Sequence, residues 1–157
     1  MNEYLLQQLN LNEIRGLSLT QPWASLIAIG VKKIETRSWR THYRGPLAIH
    51  ASKGFRWPED WELVPFPAPD ALPRGAILAV ATLRTVQWTG HNAVYPPDWL
   101  RTVDDIERAF GDFSEKRYGW FLEDVHELAE PIPCRGARGL WTVPPAIVAE
   151  IQRQVVA

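Results

Sequence analysis

The run Gly75-Ala76-Ile77-Leu78-Ala79-Val80-Ala81-Thr82-Leu83 holds one hydroxyl and no charge in nine residues. It is far short of the ~20 apolar residues that cross a bilayer. A strand with one wet face alternates apolar and polar side chains, so this run reads as a strand covered on both faces. Such a strand needs apolar partners above and below it. Arg15-Gly16-Leu17-Ser18-Leu19 alternates and reads as a first strand. In Leu47 to Ser52, Leu47, Ile49 and Ala51 share one face and Ala48, His50 and Ser52 the other. Lys33 to Trp39, Tyr118 to Leu128 and Leu140 to Val143 supply further strands. Helices are few. Trp23, Ala24, Leu26, Ile27 and Ile29 form an amphipathic helix, with Thr20 as its cap, Pro22 in its first turn and Gly30 at its end. Asp104 to Phe110 forms a second. Pro144-Pro145 opens a third, with Ile147, Val148 and Ile151 on one face. Five prolines between residues 56 and 73 make a long loop with at most a short helix around Glu59 to Leu63. Short strands with short helices predict an α+β domain built on a mixed or closed sheet. No phosphate-cradling glycine motif occurs.

A length of 157 residues suits one domain. Residues 1–15, with Leu5, Leu6, Leu9 and Leu11 roughly at helical spacing, read as a helical extension, and residues 16–157 as the domain proper. The single cysteine rules out an internal disulfide and fits a reducing compartment. The N-terminal residues lack a signal-peptide pattern and no segment reads as membrane-spanning, so a cytoplasmic protein is expected.

Charge is unevenly spread. Seven of the seventeen Lys and Arg residues lie between Gly30 and Arg56, beside one acid, Glu35, whereas the whole chain has a net charge of −1. Trp39, Tyr43, His50, Phe55 and Trp57 are interleaved with these cations. Cations take phosphates and rings take bases, so single-stranded nucleic acid fits the pattern; a solvated basic face with core rings fits it as well. The eight tryptophans point the same way, since indoles rarely bury completely and some should line a groove. The histidines His42, His50, His91 and His126 have no ligand spacing and Cys134 has no nearby cysteine partner, so neither a metal nor another cofactor is expected.

The segment Leu17-Ser18-Leu19-Thr20-Gln21-Pro22-Trp23-Ala24, followed by Gly30-Val31-Lys32-Lys33-Ile34-Glu35-Thr36-Arg37, resembles the ASCH domain family through its G-x-K-x-x-E-x-R signature. Tyr43-Arg44-Gly45-Pro46 to Ser52, Tyr118-Gly119-Trp120, Cys134-Arg135-Gly136 and Gly139-Leu140-Trp141 extend the resemblance over residues 16–143. It implies a PUA-like mixed β-barrel of about five to six strands with short flanking helices. It also implies a basic cleft beside the signature, with RNA, single-stranded DNA or a nucleoside-like ligand as partner. Some relatives are enzymes. The amidohydrolases among them carry a threonine three residues after the signature lysine, where this chain has Glu35.

The residues assigned to the cleft are Lys32, Lys33, Arg37, Arg44 and Lys53 for phosphate, Glu35 for a base edge or to position a cation, and Trp39 for stacking. Strand parity puts Lys33, Glu35, Arg37 and Trp39 on one face, and joins Lys32 to Glu35 only if Lys32 is still in a turn. His50 is read as facing solvent. Cys134 stands beside Arg135, which could lower its pKa, although a structural thiol is the simpler reading. Catalytic residues are not assigned. The enzymatic alternative is a ribonuclease or amidohydrolase with Lys32 or Lys53 and Glu35 as acting groups.

Overall fold

The computed structural model describes residues 14–92 and 94–156, together with Gln7. The helical extension expected over residues 1–15 falls almost wholly outside them; Arg15 already belongs to the first strand. Six strands carry the fold: β1 Arg15–Gln21, β2 Ile34–Arg37, β3 Gly45–Phe55, β4 Ala76–Trp88, β5 Tyr118–Pro133 and β6 Leu140–Thr142. Among the described residues, three α-helices flank them: α1 Trp23–Ala28, α2 Asp105–Ala109 and α3 Pro145–Val156. The class is α+β, as expected.

The strands form one sheet in the order β2-β5-β4-β3-β1-β6. β1 and β3 run parallel and the other pairs antiparallel. In a flat sheet β2 would lie ~19 Å from β1, four strand spacings away. Instead Arg37 at the end of β2 donates from Nη2 to the Ser18 carbonyl of β1 at 3.1 Å. The sheet therefore curls like a barrel wall, and a side chain spans the gap that backbone pairing leaves open. Register shifts between β4 and β5 at Ile77/Ala79, Val80/Thr82 and Leu83/Thr85 add the local twist that such curling needs.

The part of β4 from Ala76 to Leu83 is buried on both faces, as its apolar run requires. Leu78, Ala79, Ala81 and Leu83 join the inner core with Leu47, Ile49, Trp120 and the α1 residues Ala24 and Ile27. Ile77 and Val80 face a second core, where Ile151 and Val155 of α3 cover Ala48 and Trp141. This second layer explains why both faces of Leu47 to Ser52 are largely buried, although their alternation suggested one wet face.

The start of α1 differs in detail from the expectation. Thr20 stays in β1 and does not cap the helix. Gln21 takes that place: its Oε1 accepts from Ser25 N–H at 3.0 Å, and its Nε2 donates to Ser25 Oγ at 2.7 Å and to the Pro73 carbonyl at 2.8 Å. The long amide spans two jobs, closing the helix start and holding the proline-rich loop, which a threonine is too short to do. The turn after α1 is as expected: Gly30 has φ +84°, a conformation that costs glycine little. That turn aims the next residues back at the sheet, with both Val31 N–H and Lys32 N–H donating to the Leu26 carbonyl.

Candidate nucleic-acid interface

The signature segment forms an enclosed ionic network. Strand β2 begins at Ile34, so Lys32 is still in the turn and reaches the Glu35 side despite its odd spacing. Its Nζ lies 3.9 Å from Glu35 Oε1 and donates to the Ile34 carbonyl. Lys32 has 0% exposure. Burial pushes its pKa down, while Glu35 and Glu107 pull it back up. Glu35 also accepts from Arg37 Nε at 3.2 Å and lies 3.0 Å from Arg37 Nη2. Glu107, held in α2 with Asp104 as its N-cap, accepts from the Lys33 and Ile34 N–H groups and fixes the start of β2. Burial raises the Glu107 pKa, and those donors work against the rise.

The structure thus separates the residues assigned to phosphate. Lys32 is enclosed and committed to protein oxygens, so it cannot reach a phosphate in this arrangement. Arg37 commits Nε and Nη2 to Glu35 and the Ser18 carbonyl. Arg44 is exposed but folds back, its Nη1 donating to the Thr41 and Tyr43 carbonyls at 2.9 and 2.8 Å. Lys33 is exposed on the β2 side. Trp39 packs edge-on against the buried Trp120 at 4.8 Å and belongs with the inner core. Its position on a cleft wall was inferred from regular strand parity, but β2 ends at Arg37.

A cavity of about 760 Å³ opens elsewhere on the barrel, between β1, β3 and the loop after β5. Ser18, His50, Ser52 and Lys53 line one side, and Cys134 to Arg138 the other. Lys53, Arg135 and Arg138 bring three cations to it, and no acid lines it. Of the residues assigned from sequence, Lys53 alone is here. Arg135 belongs to a motif of the family resemblance and Arg138 lies just after it, in a loop about eighty residues beyond the basic cluster.

The back wall is a chain of hydrogen bonds. The Cys134 carbonyl can only accept, so the 2.7 Å contact to His50 Nε2 puts the ring proton there. His50 Nδ1 is then an acceptor and takes the Ser18 hydroxyl proton at 3.0 Å. Ser18 Oγ in turn accepts from Trp141 Nε1 at 3.2 Å. His50 is 3% exposed, which corrects its reading as solvent-facing. Burial pulls its pKa down, which favours the neutral ring. Burial raises the Cys134 thiol pKa, which goes against the lowered value weighed beside Arg135 and not against the structural reading. A Cβ on Gly136 would fall 2.3 Å from Ser18 Oγ and 2.6 Å from His50 Cε1, so bare backbone is required where the loop crosses this pair. A serine donating to a neutral imidazole resembles part of a hydrolytic triad. Here a carbonyl stands where an orienting carboxylate would be, and Gly136 covers the hydroxyl. The cluster works as a clasp that seats the Arg135–Arg138 loop on β1 and β3.

Among the described residues no group of His, Cys, Asp and Glu could hold a metal ion, and no helix is long and apolar enough to cross a membrane.

A curled six-stranded sheet with this signature strand defines a class of domain, and comparison with known proteins agrees. The ASCH domain family pattern matches residues 17–132, and the chain belongs to that family. It is 48% identical over 141 residues to activating signal cointegrator 1 of Mus musculus and 44% identical over 141 residues to that of Homo sapiens. Each match covers 80% of this chain and 21% of the relative, so the chain spans about a fifth of their length. Among solved structures, ASCH from Zymomonas mobilis superposes with a TM-score of 0.54 over 91% of this chain and 93% of that one, at 16% identity. A point variant of the same Z. mobilis protein superposes with a TM-score of 0.53 over 92% of this chain and 97% of that one. At that identity the likeness concerns the fold.

Proposed function

We propose that this domain binds single-stranded nucleic acid, RNA in the first place, in the cavity between β1, β3 and the Cys134–Gly139 loop. The observation that carries this reading is the cavity's lining: Lys53, Arg135 and Arg138 around about 760 Å³ with no acid among them. Cations on an open, acid-free wall favour an anionic ligand, and the volume suits a nucleotide-sized group. Membership in the ASCH family supports nucleic acid over other anions. Single-stranded DNA presents the same phosphates and bases and is the natural competitor in an assay.

Binding is favoured over catalysis because the groups named for chemistry do not converge. Lys53 lines the cavity, whereas Lys32 and Glu35 neutralise each other in the enclosed network. The roles of Lys32, Arg37 and Glu35 become indirect: they hold β2 against β1, and Arg37 fixes the carbonyl of Ser18, which lines the cavity.

The test is a salt series with a fluorescently labelled ten-residue oligouridylate. At ~0.7 per phosphate contact, the three cavity cations predict that log affinity falls with log salt at a slope of about −2, steeper where further cations are engaged. Measurable affinity with a slope near zero would replace the phosphate strip by a nucleoside pocket, and no binding at low salt would overturn the reading.

A further inference from the structure

We infer that Trp57 is the base-stacking element of this site, extending the cavity along the end of β3 onto an aromatic shelf; the inference rests on the nucleic-acid reading above. Trp57 is 64% exposed, an unusual position for the largest aromatic side chain. It is not a loose ring. Phe55 meets it at 5.1 Å and Trp61 at 4.7 Å, both near-perpendicular, and Phe55 meets Trp61 at 5.9 Å. Three rings that lock one another hold Trp57 in a fixed orientation. A preorganised ring spends less on ordering when a ligand arrives.

The shelf adjoins the cationic cavity, its first ring Phe55 lying two residues beyond the cavity-lining Lys53. Arg74 joins the two: its Nη1 donates to the Lys53 carbonyl at 3.4 Å, and its guanidinium carbon lies 5.4 Å from the Phe55 ring centre. Lys53 is on the cavity wall, and Arg56 stands exposed between Phe55 and Trp57. The backbone there is fixed too, since Arg56 N–H donates to the Gln21 carbonyl at 3.0 Å. Lys53 to Trp57 is four residues, at most ~14 Å of chain. That is a few nucleotide steps, so phosphates on Lys53, Arg56 and Arg74 would bring a base over Trp57. Bases stack on rings regardless of sequence, and flanking cations bind the intervening phosphates. A protein partner is the other natural occupant of an exposed aromatic patch. The link through Arg74 to an acid-free cationic cavity favours nucleic acid.

The test compares two probes: a ten-residue oligouridylate and an abasic ten-mer with the same number of phosphates. The proteins are wild type, Trp57→Ala and Trp57→Phe. For Trp57→Ala, oligouridylate affinity should fall about 5- to 150-fold, the span measured for one base on one ring. Affinity for the abasic oligomer should stay within about twofold, and Trp57→Phe should recover most of the loss, since a π-face remains. Trp57→Leu keeps apolar bulk against Phe55 and Trp61 without a π-face, and carries the same test if the alanine variant loses the fold. Unchanged oligouridylate affinity, or equal loss on both probes, overturns the inference while leaving the nucleic-acid reading in place. A wild-type protein that binds neither probe overturns both.

Discussion

Lys32, Glu35 and Arg37 on one side of the barrel and Lys53, Arg135 and Arg138 on another are groups of similar composition in opposite states. In the first, an acid stands between two cations, the lysine is wholly enclosed, and the donors are spent on protein oxygens. In the second, three cations surround open volume with no acid among the lining residues. A cation that is already paired has little left for a phosphate. A buried pair also contributes little net stability while it is intact, because desolvation offsets the attraction, yet breaking it leaves an uncompensated charge. The signature therefore acts as a structural fastener, and in the proposed reading the cavity cations beyond it hold the anion.

The largest effect should come from breaking the fastener. Glu35→Ala strands Lys32 in an enclosed site, with Glu107 as its nearest remaining acid. It should cost about 3 kcal/mol, at the low end for a broken buried pair, measured by denaturant unfolding. A loss below about 0.5 kcal/mol with abolished nucleic-acid binding would mean that Glu35 belongs to the ligand site instead. Trp39→Ala should come next. Its ring is half-buried against Trp120, so the loss should be roughly 2 kcal/mol, less than the ~3–5 of a fully buried ring. Oligouridylate affinity should stay the same. A stable Trp39→Ala protein with weakened binding would move the ring back to the cleft.

The smallest effect concerns the clasp. Burial holds the His50 pKa below its ordinary 6.5. The unfolded chain therefore binds a proton before the folded one does. The stability this contributes is complete above about pH 6.5 and is lost as pH falls through the folded value. In His50→Gln that part of the pH dependence should vanish. An identical slope of stability against pH in both proteins would mean that the ring is free to protonate where it stands.

Much of this was legible in the sequence. The buried run at 75–83, the alternation around Leu17 and Ile49 and the turn at Gly30 fixed the class because each reflects a local period or a φ requirement. Boundaries were less legible. β3, β4 and β5 run past their apolar stretches since pairing continues where side chains are exposed, as in Arg84 to Trp88. The site was legible only in part. The basic cluster includes Lys53, which lies on the cavity wall, but charge density along the chain does not report depth. Lys32 and Lys33 are neighbours, and one is enclosed while the other is exposed. Arg135 and Arg138 enter the site through the clasp of Ser18, His50 and the Cys134 carbonyl, contacts of 32 and 84 residues' separation that no local pattern encodes. The one available signal was Gly136 after Cys134-Arg135, a glycine whose need for bare backbone appears only when Ser18 and His50 are beside it.

The account turns on which cations meet the phosphates, and the salt dependence of binding measures that directly. A Lys53→Ala, Arg135→Ala, Arg138→Ala variant should keep its melting temperature, because all three side chains are exposed. Its slope of log affinity against log salt for the ten-residue oligouridylate should be shallower than that of wild type by about 2, from three lost contacts at ~0.7 each. An unchanged slope in that variant, with the slope lost instead in a Lys33→Ala, Arg40→Ala, Arg44→Ala variant, would return the interface to the signature side of the barrel.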